Sequence, residues 1–222
     1  MSLAIFDLDN TLLSDDSDYL WGKFLAQQGI VDGELYERQN QKFYDDYKNG
    51  NLDIFAFLSF SLKPLSELPA AQLATLHSQF MQQCIIPVIA PGTAALLDKH
   101  RSRGDTLLII TATNRFITAP IAEQLAIPHL LATEAEMVDG MYTGNVAGTP
   151  CFQEGKVTRL NEWLVDQQED LNGSWFYSDS HNDLPLLKMV SHPIAVDPDT
   201  TLRQYADQQG WPVISLRESA SA

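Results

Sequence analysis

The sequence predicts an α/β fold: a parallel sheet covered by helices on both faces, with an all-helical segment inserted between its first and second strands. Short apolar runs alternate with helical stretches over residues 91–222, the pattern of βα units stacked into one sheet. The runs are apolar along their whole length, as strands buried on both faces must be. Between the first run and the second, residues 14–90 carry helical periodicity and no strand pattern.

Taken in chain order, Leu3-Ala-Ile-Phe6 reads as the first buried strand, ending in acids and a turn-like Asn10-Thr11. In residues 14–90, Leu20 and Phe24, and Trp21 and Leu25, recur four apart, and Gly29 stops that helix. Glu34 to Lys48 is polar and helix-forming, and Asp53 is placed to cap Ile54 to Leu62. Leu73, Leu76, Phe80 and Cys84 form a one-sided apolar stripe. Pro91-Gly92 opens a helix that ends near Gly104, and Thr106 to Thr111 is the second strand. A helix over about 115–125 and a strand over about 129–133 follow, then Asp139-Gly140, a hairpin signal. A helix over about 155–167, a strand at Trp175 to Asp179 and a helix from about 182 come next. Pro193-Ile-Ala-Val and Pro212-Val-Ile-Ser-Leu are the last strands. This divides the chain into a core of residues 1–13 and 91–222 and a helical cap of residues 14–90.

Charge narrows the function classes. The 222 residues carry 14 Lys and Arg against 29 Asp and Glu, a net charge of −15. Nucleic-acid binding needs a basic surface, so it is excluded. Polybasic docking on a membrane is excluded likewise. No apolar run is long enough to span a bilayer, and the opening residues lack the basic start of a signal peptide. A cytoplasmic location is expected. Cys84 and Cys151 have no metal-ligand spacing and read as reduced structural thiols.

The chemistry-bearing side chains fall at the carboxyl ends of strands, where ligands bind in such sheets. Asp7 and Asp9 leave the first strand on one side. Such a pair repels unless a cation or a shared proton intervenes; alone it is more often a solvated loop or a helix N-cap, and the buried strand leading into it lowers the weight of that reading. Thr111-Ala-Thr-Asn114 ends the second strand, and a hydroxyl beside a helix N-terminus can hold phosphate, although Thr and Asn are also ordinary caps. Glu154-Gly-Lys156 leads into a helix. Asp179 and Asp183 stand four apart at a strand-helix boundary, and together they can reach one hard cation.

Their order and placement together resemble the haloacid dehalogenase superfamily of phosphohydrolases. Asp7-x-Asp9-x-Thr11 matches its first motif, Thr111 its second, Lys156 its third and Asp179-xxx-Asp183 its fourth. The helical insert resembles the cap of the phosphoserine-phosphatase-like branch. Within that branch, Asp7 to Leu25 (with Asp18, Tyr19 and Trp21), Ile110 to Phe116 and Tyr177 to Asp183 are similar to bacterial histidinol-phosphate phosphatases. The phosphoserine enzymes usually show Ser-Gly-Gly-Phe and Gly-Asp-Gly where this chain has Thr111-Ala-Thr-Asn and Ser178-Asp-Ser.

The resemblance implies a Rossmann-like core and a phosphomonoester hydrolase with Asp7 as nucleophile and Asp9 as general acid and base. It implies Mg²⁺ held by Asp7, the backbone carbonyl of Asp9, and Asp179, with Asp183 nearby. Thr111 and Lys156 would bind or neutralise the phosphoryl group, and Asn182 would orient it. Asp18, Trp21 and Asn114 are the further substrate-binding candidates. The partner is a small phosphorylated metabolite. Residues 14–90 hold ten acids and five bases, with Arg38 the one arginine, which suits an amine-bearing, ring-bearing substrate better than one with a carboxylate. A phosphotransferase or mutase would use the same nucleophile, and the oligomeric state is left open.

Overall fold

The computed structural model describes residues 2–218. Its centre is a seven-stranded sheet in the order β4-β3-β2-β1-β5-β6-β7. The strands are β1 (Leu3–Phe6), β2 (Thr106–Asn114), β3 (His129–Val138), β4 (Met141–Ala147), β5 (Trp175–Ser178), β6 (His192–Val196) and β7 (Val213–Ile214). All pair in parallel except β3 with β4. The parallel sheet thus carries one antiparallel strand at its edge. Asp139, at φ 52°, and Gly140, at φ 77°, turn the chain back, so β3 runs past 133 and gains an antiparallel partner.

Side chains alternate across each strand, and this splits the core into two layers. Ala4, Phe6, Ile109 and Tyr177 point to one face; Leu3, Ile5, Leu108, Ile110 and Phe176 point to the other. The first face is covered by α1 (Ser17–Gln27), α5 (Ala70–Phe80), α6 (Thr93–Ser102) and α7 (Arg115–Gln124). The second is covered by α8 (Glu154–Gln167), α9 (Leu184–Leu187) and α10 (Thr200–Gln209). The sequence reading gave α10 no element: its single apolar anchor, Leu202, and Ala206 make a weak stripe in a polar stretch. Asp183 lies in a tight turn, His181–Asp183, before the one-turn α9 rather than inside a longer helix.

Residues 14–90 are helical, with α2 (Gly33–Lys48), α3 (Ile54–Ser61) and α4 (Lys63–Glu67) between α1 and α5. Acids set several of the starts. Asp16, Asp32 and Asp53 each accept a backbone N–H as N-caps, so part of this segment's acidity is local structure. The outer helices share the sheet's core: Trp21, Phe24 and Phe80 pack in one cluster with Phe6, Ile109 and Ile117. The helices α2 and α3 instead present Phe43, Tyr44, Tyr47 and Phe57 to the carboxyl ends of the strands. Among the described residues no helix is long and apolar enough to cross a membrane.

Candidate active site

The strand order reverses around β1, which pairs with β2 on one side and β5 on the other. The crevice of such a sheet lies beyond the carboxyl ends of these strands. Asp7 follows β1 there, its N–H donating to the Tyr177 carbonyl at 2.9 Å. Thr111 and Thr113 lie near the end of β2, and Asp179 follows β5. Asn10 turns the chain at φ 57°, a conformation asparagine tolerates, and this brings Thr11 back to Asp7 and Asp179.

Lys156 is the cation of the site. It lies in the first turn of α8, is 3% exposed, and its Nζ donates to Asp7 Oδ1 and to the Asp183 carboxylate at 2.8 Å each. Gly155 is required beside it. A Cβ there would stand 2.0 Å from the Pro150 carbonyl oxygen, so only glycine lets the turn close on that backbone. Gln153, at φ 49°, donates from Nε2 to Asn182 Oδ1 at 2.8 Å. Asn182 Nδ2 in turn donates to the Tyr47 carbonyl at 3.3 Å, tying the end of α2 to the crevice.

The remaining acids have separate partners. Asp9 Oδ1 accepts from the Ser17 N–H at 2.7 Å; its Oδ2 accepts from Thr113 Oγ1 at 2.8 Å and Thr111 Oγ1 at 3.4 Å. Asp183 accepts from Ser178 Oγ at 2.7 Å. The Thr11 hydroxyl lies 3.1 Å from Asp179 Oδ1 and 3.4 Å from Asp7 Oδ2. Its one proton serves one carboxylate at a time.

Burial raises the carboxyl pKa values. Asp7 is pushed up to about 7 by burial, against the pull of Lys156. Asp9 is raised by burial, opposed chiefly by the hydrogen bonds from Ser17. Asp179 stands well above its ordinary value through burial and then the charges of Asp7 and Asp183. Burial works against the Lys156 charge, but Asp183 and Asp7 outweigh it and hold the lysine above its usual pKa. Four acids around one ammonium leave an excess of negative charge that a dianionic phosphate meets only if a further cation is present.

The residues fit Mg²⁺. Mg²⁺ takes one or two carboxylates and keeps several waters, and Asp7 and Asp179, both within reach of the Thr11 hydroxyl, offer such a pair.

Above the carboxylates lies a cavity of about 50 Å³, room for a few waters. Asp7, Asp9, Thr111, Lys156, Asn182 and Asp183 line its floor. Asp16, Asp18 and Tyr19, with Phe43, Tyr44 and Phe57, stand among its walls. Two candidates lie elsewhere. Trp21 is 1% exposed and does not line the cavity; it packs edge-on to Phe80 and Phe116 at 5.1 and 5.5 Å. Asn114 is a helix cap, its Oδ1 accepting from the Ile117 N–H at 3.2 Å. Both placements have one cause: the inward face of α1 and the start of α7 are consumed by the core.

Thr113 was missed although the sequence held a signal. It stands two residues after Thr111, hence on the same side of a strand. Phe43, Tyr44 and Tyr47 had no such signal, because α2 is polar overall and nothing local says which side faces the crevice.

Residues 4–188 match the haloacid dehalogenase-like hydrolase family. A histidinol-phosphatase of Neisseria meningitidis serogroup C (strain 8013) is 48% identical over 220 residues, covering 97% of this chain and 99% of that one. Phosphoserine phosphatase SerB1 of Mycobacterium tuberculosis (strain ATCC 25618 / H37Rv) is 32% identical, over 99% of this chain and 72% of that one. A crystal structure of a protein of unknown function from Bordetella pertussis Tohama I superposes with a TM-score of 0.91 at 43% identity, over 97% and 98% of the two chains. The chain belongs to the haloacid dehalogenase-like hydrolase family, as one of its phosphatases.

Proposed function

We propose that this chain is a histidinol-phosphate phosphatase of histidine biosynthesis, working through a phosphorylated Asp7. The observation that carries the substrate is the full-length likeness, at 48% identity, to a protein named for that activity. The acid-and-aromatic cavity supports it.

Asp7 is the nucleophile. Its Oδ1 is held by Lys156, and its Oδ2 meets only a 3.4 Å contact from Thr11, so Oδ2 is the oxygen left to attack phosphorus. Asp9 protonates the departing alkoxide and then takes a proton from the water that cleaves the acyl phosphate. Its raised pKa suits a group that carries a proton for part of each cycle. The hydrogen bonds from Ser17 and Thr113 fix its position. Thr111, only loosely engaged by Asp9, turns its hydroxyl to a phosphoryl oxygen, and Asn182 closes the rim. Lys156 neutralises Asp7 and the transferring group. Mg²⁺ would be held by Asp7, the Asp9 carbonyl and Asp179, with Asp183 nearby, and when bound it supplies the charge that lets phosphate approach these carboxylates.

Phosphoserine is the second reading. It is disfavoured because, among the described residues, no arginine lines the cavity, and a substrate carboxylate is best met by a guanidinium fork.

The test is phosphate release, with Mg²⁺ and with chelator, from histidinol phosphate, phosphoserine and other small phosphomonoesters. Asp7→Asn is the blank. The expected result is a strong preference for histidinol phosphate, lost in the mutant and on chelation. Equal slow turnover of all esters would discard the substrate, and near-native activity of Asp7→Asn would discard the nucleophile.

A further inference from the structure

The floor of the cavity is accounted for by phosphoryl chemistry; one wall residue is not. Asp18 lies in the first turn of α1, is 7% exposed, and lines the cavity. Its Oδ2 is buried without a hydrogen-bond partner. A carboxylate oxygen in that state is costly, and a donor brought by a water, an ion or a ligand relieves the cost.

Its neighbours within the protein do not complete it. Burial, and then the like charges of Asp16 and Asp9, hold the Asp18 carboxyl well above its ordinary value, a state that a cation alongside would reverse. Lys156, the cation of the cavity floor, is committed to Asp7 and Asp183 at 2.8 Å. Asp16 differs from Asp18 in being occupied, since its Oδ1 caps α1 by accepting from the Tyr19 N–H at 2.9 Å. Around the same space stand the rings of Tyr19, Phe43, Tyr44 and Phe57, whose faces attract cations. A positively charged donor arriving from the cavity that Asp18 lines would supply the missing partner.

We infer that Asp18 is the specificity residue of this pocket: its carboxylate receives an ammonium group carried on the alcohol portion of the substrate, against the aromatic wall. This rests on the phosphomonoesterase reading of the site, and it extends to amine-bearing phosphomonoesters as a class. It predicts that the protonated amine, rather than the ring beside it, is read by Asp18.

The experiment uses two ester pairs that differ only by the amine: histidinol phosphate with imidazolylpropyl phosphate, and phosphoethanolamine with ethyl phosphate. kcat/KM is measured for all four with wild type, Asp18→Asn and Asp18→Ser, after thermal melts of each variant. Wild type should favour the amine-bearing member of each pair by about 10- to 100-fold, the range of a charge-assisted hydrogen bond. Both variants should lose that factor on the amine-bearing esters and change the amine-free ones far less. Equal kcat/KM within the wild-type pairs overturns the inference, as does a variant that lowers both members equally. The substrate identity is judged separately. If the amine preference holds and depends on Asp18 while histidinol phosphate is turned over no better than phosphoethanolamine, the histidinol reading fails and the Asp18 assignment stands.

Discussion

Replacing Lys156 by methionine removes the only cation that stands, among the described residues, between Asp7 and Asp183. The ammonium lies 2.8 Å from two carboxylates, and all three side chains are 5% exposed or less. At an effective dielectric of about 20, each contact has a gross attraction of about 6 kcal/mol. Most of that is offset by desolvation, and breaking such a buried pair by removing one member costs about 3–5 kcal/mol net. For a chain of this length the melting temperature should fall by about 10 °C at pH 8.

The pH dependence fixes the cause. Asp7 has a folded pKa raised from 3.8 to about 7. The stability it contributes is therefore full below its unfolded pKa and is lost as pH rises towards 7. Without Lys156 its folded pKa climbs further, so the loss continues above pH 7 in the mutant after it has ended in wild type. The gap between the two proteins should widen from pH 5.5 to pH 8. Thermal or urea denaturation across that range reads it. A Lys156→Met protein that melts within about 2 °C of wild type at pH 8, or whose deficit is as large at pH 5.5, would refute the reasoning.

Two further outcomes follow from packing. Trp21→Ala should lose about 3–5 kcal/mol, because a buried ring is replaced by a cavity, whereas Trp21→Phe should fold and keep its KM for histidinol phosphate. A tenfold rise in that KM for a folded Trp21→Phe would return Trp21 to the substrate site. Gly155→Ala should cost about 1–3 kcal/mol through overpacking against the Pro150 carbonyl and should lower kcat by displacing Lys156. A variant with native melting temperature and native kcat would show that the turn has room after all.

Much of the core was legible because its causes are local. A strand buried on both faces must be apolar throughout, so β1, β2 and β5 announced themselves, and the acids or hydroxyls after them marked the crevice. The caps at Asp53 and the stop at Gly29 rest on backbone geometry within a few residues. By contrast, α10 was invisible because a helix packed through a single leucine leaves little periodicity. The direction of β4 was hidden for another reason. A hairpin signal says that the chain turns, but not whether the returning segment joins the sheet.

At the site, Asp7, Asp9, Asp179, Asp183, Thr111 and Lys156 could be named from the chain because their order and spacing match the family's four motifs; the strand ends alone marked where they fall. Asp18 and Trp21 stand three apart on one helix and Asn114 far along the chain, and nothing local sorted substrate contact from core or cap at any of them. The tertiary structure did so by burial. It placed Trp21 among Phe80 and Phe116, spent Asn114 on capping α7, and set Asp18 in the cavity wall with its Oδ2 unpartnered. Which groups end the strands is written in the chain, since strand length and side-chain alternation are local properties. Which sides of α1 and α2 meet the crevice is settled only on folding. Those orientations come from how distant helices share one core, a contest of packing that no short segment records.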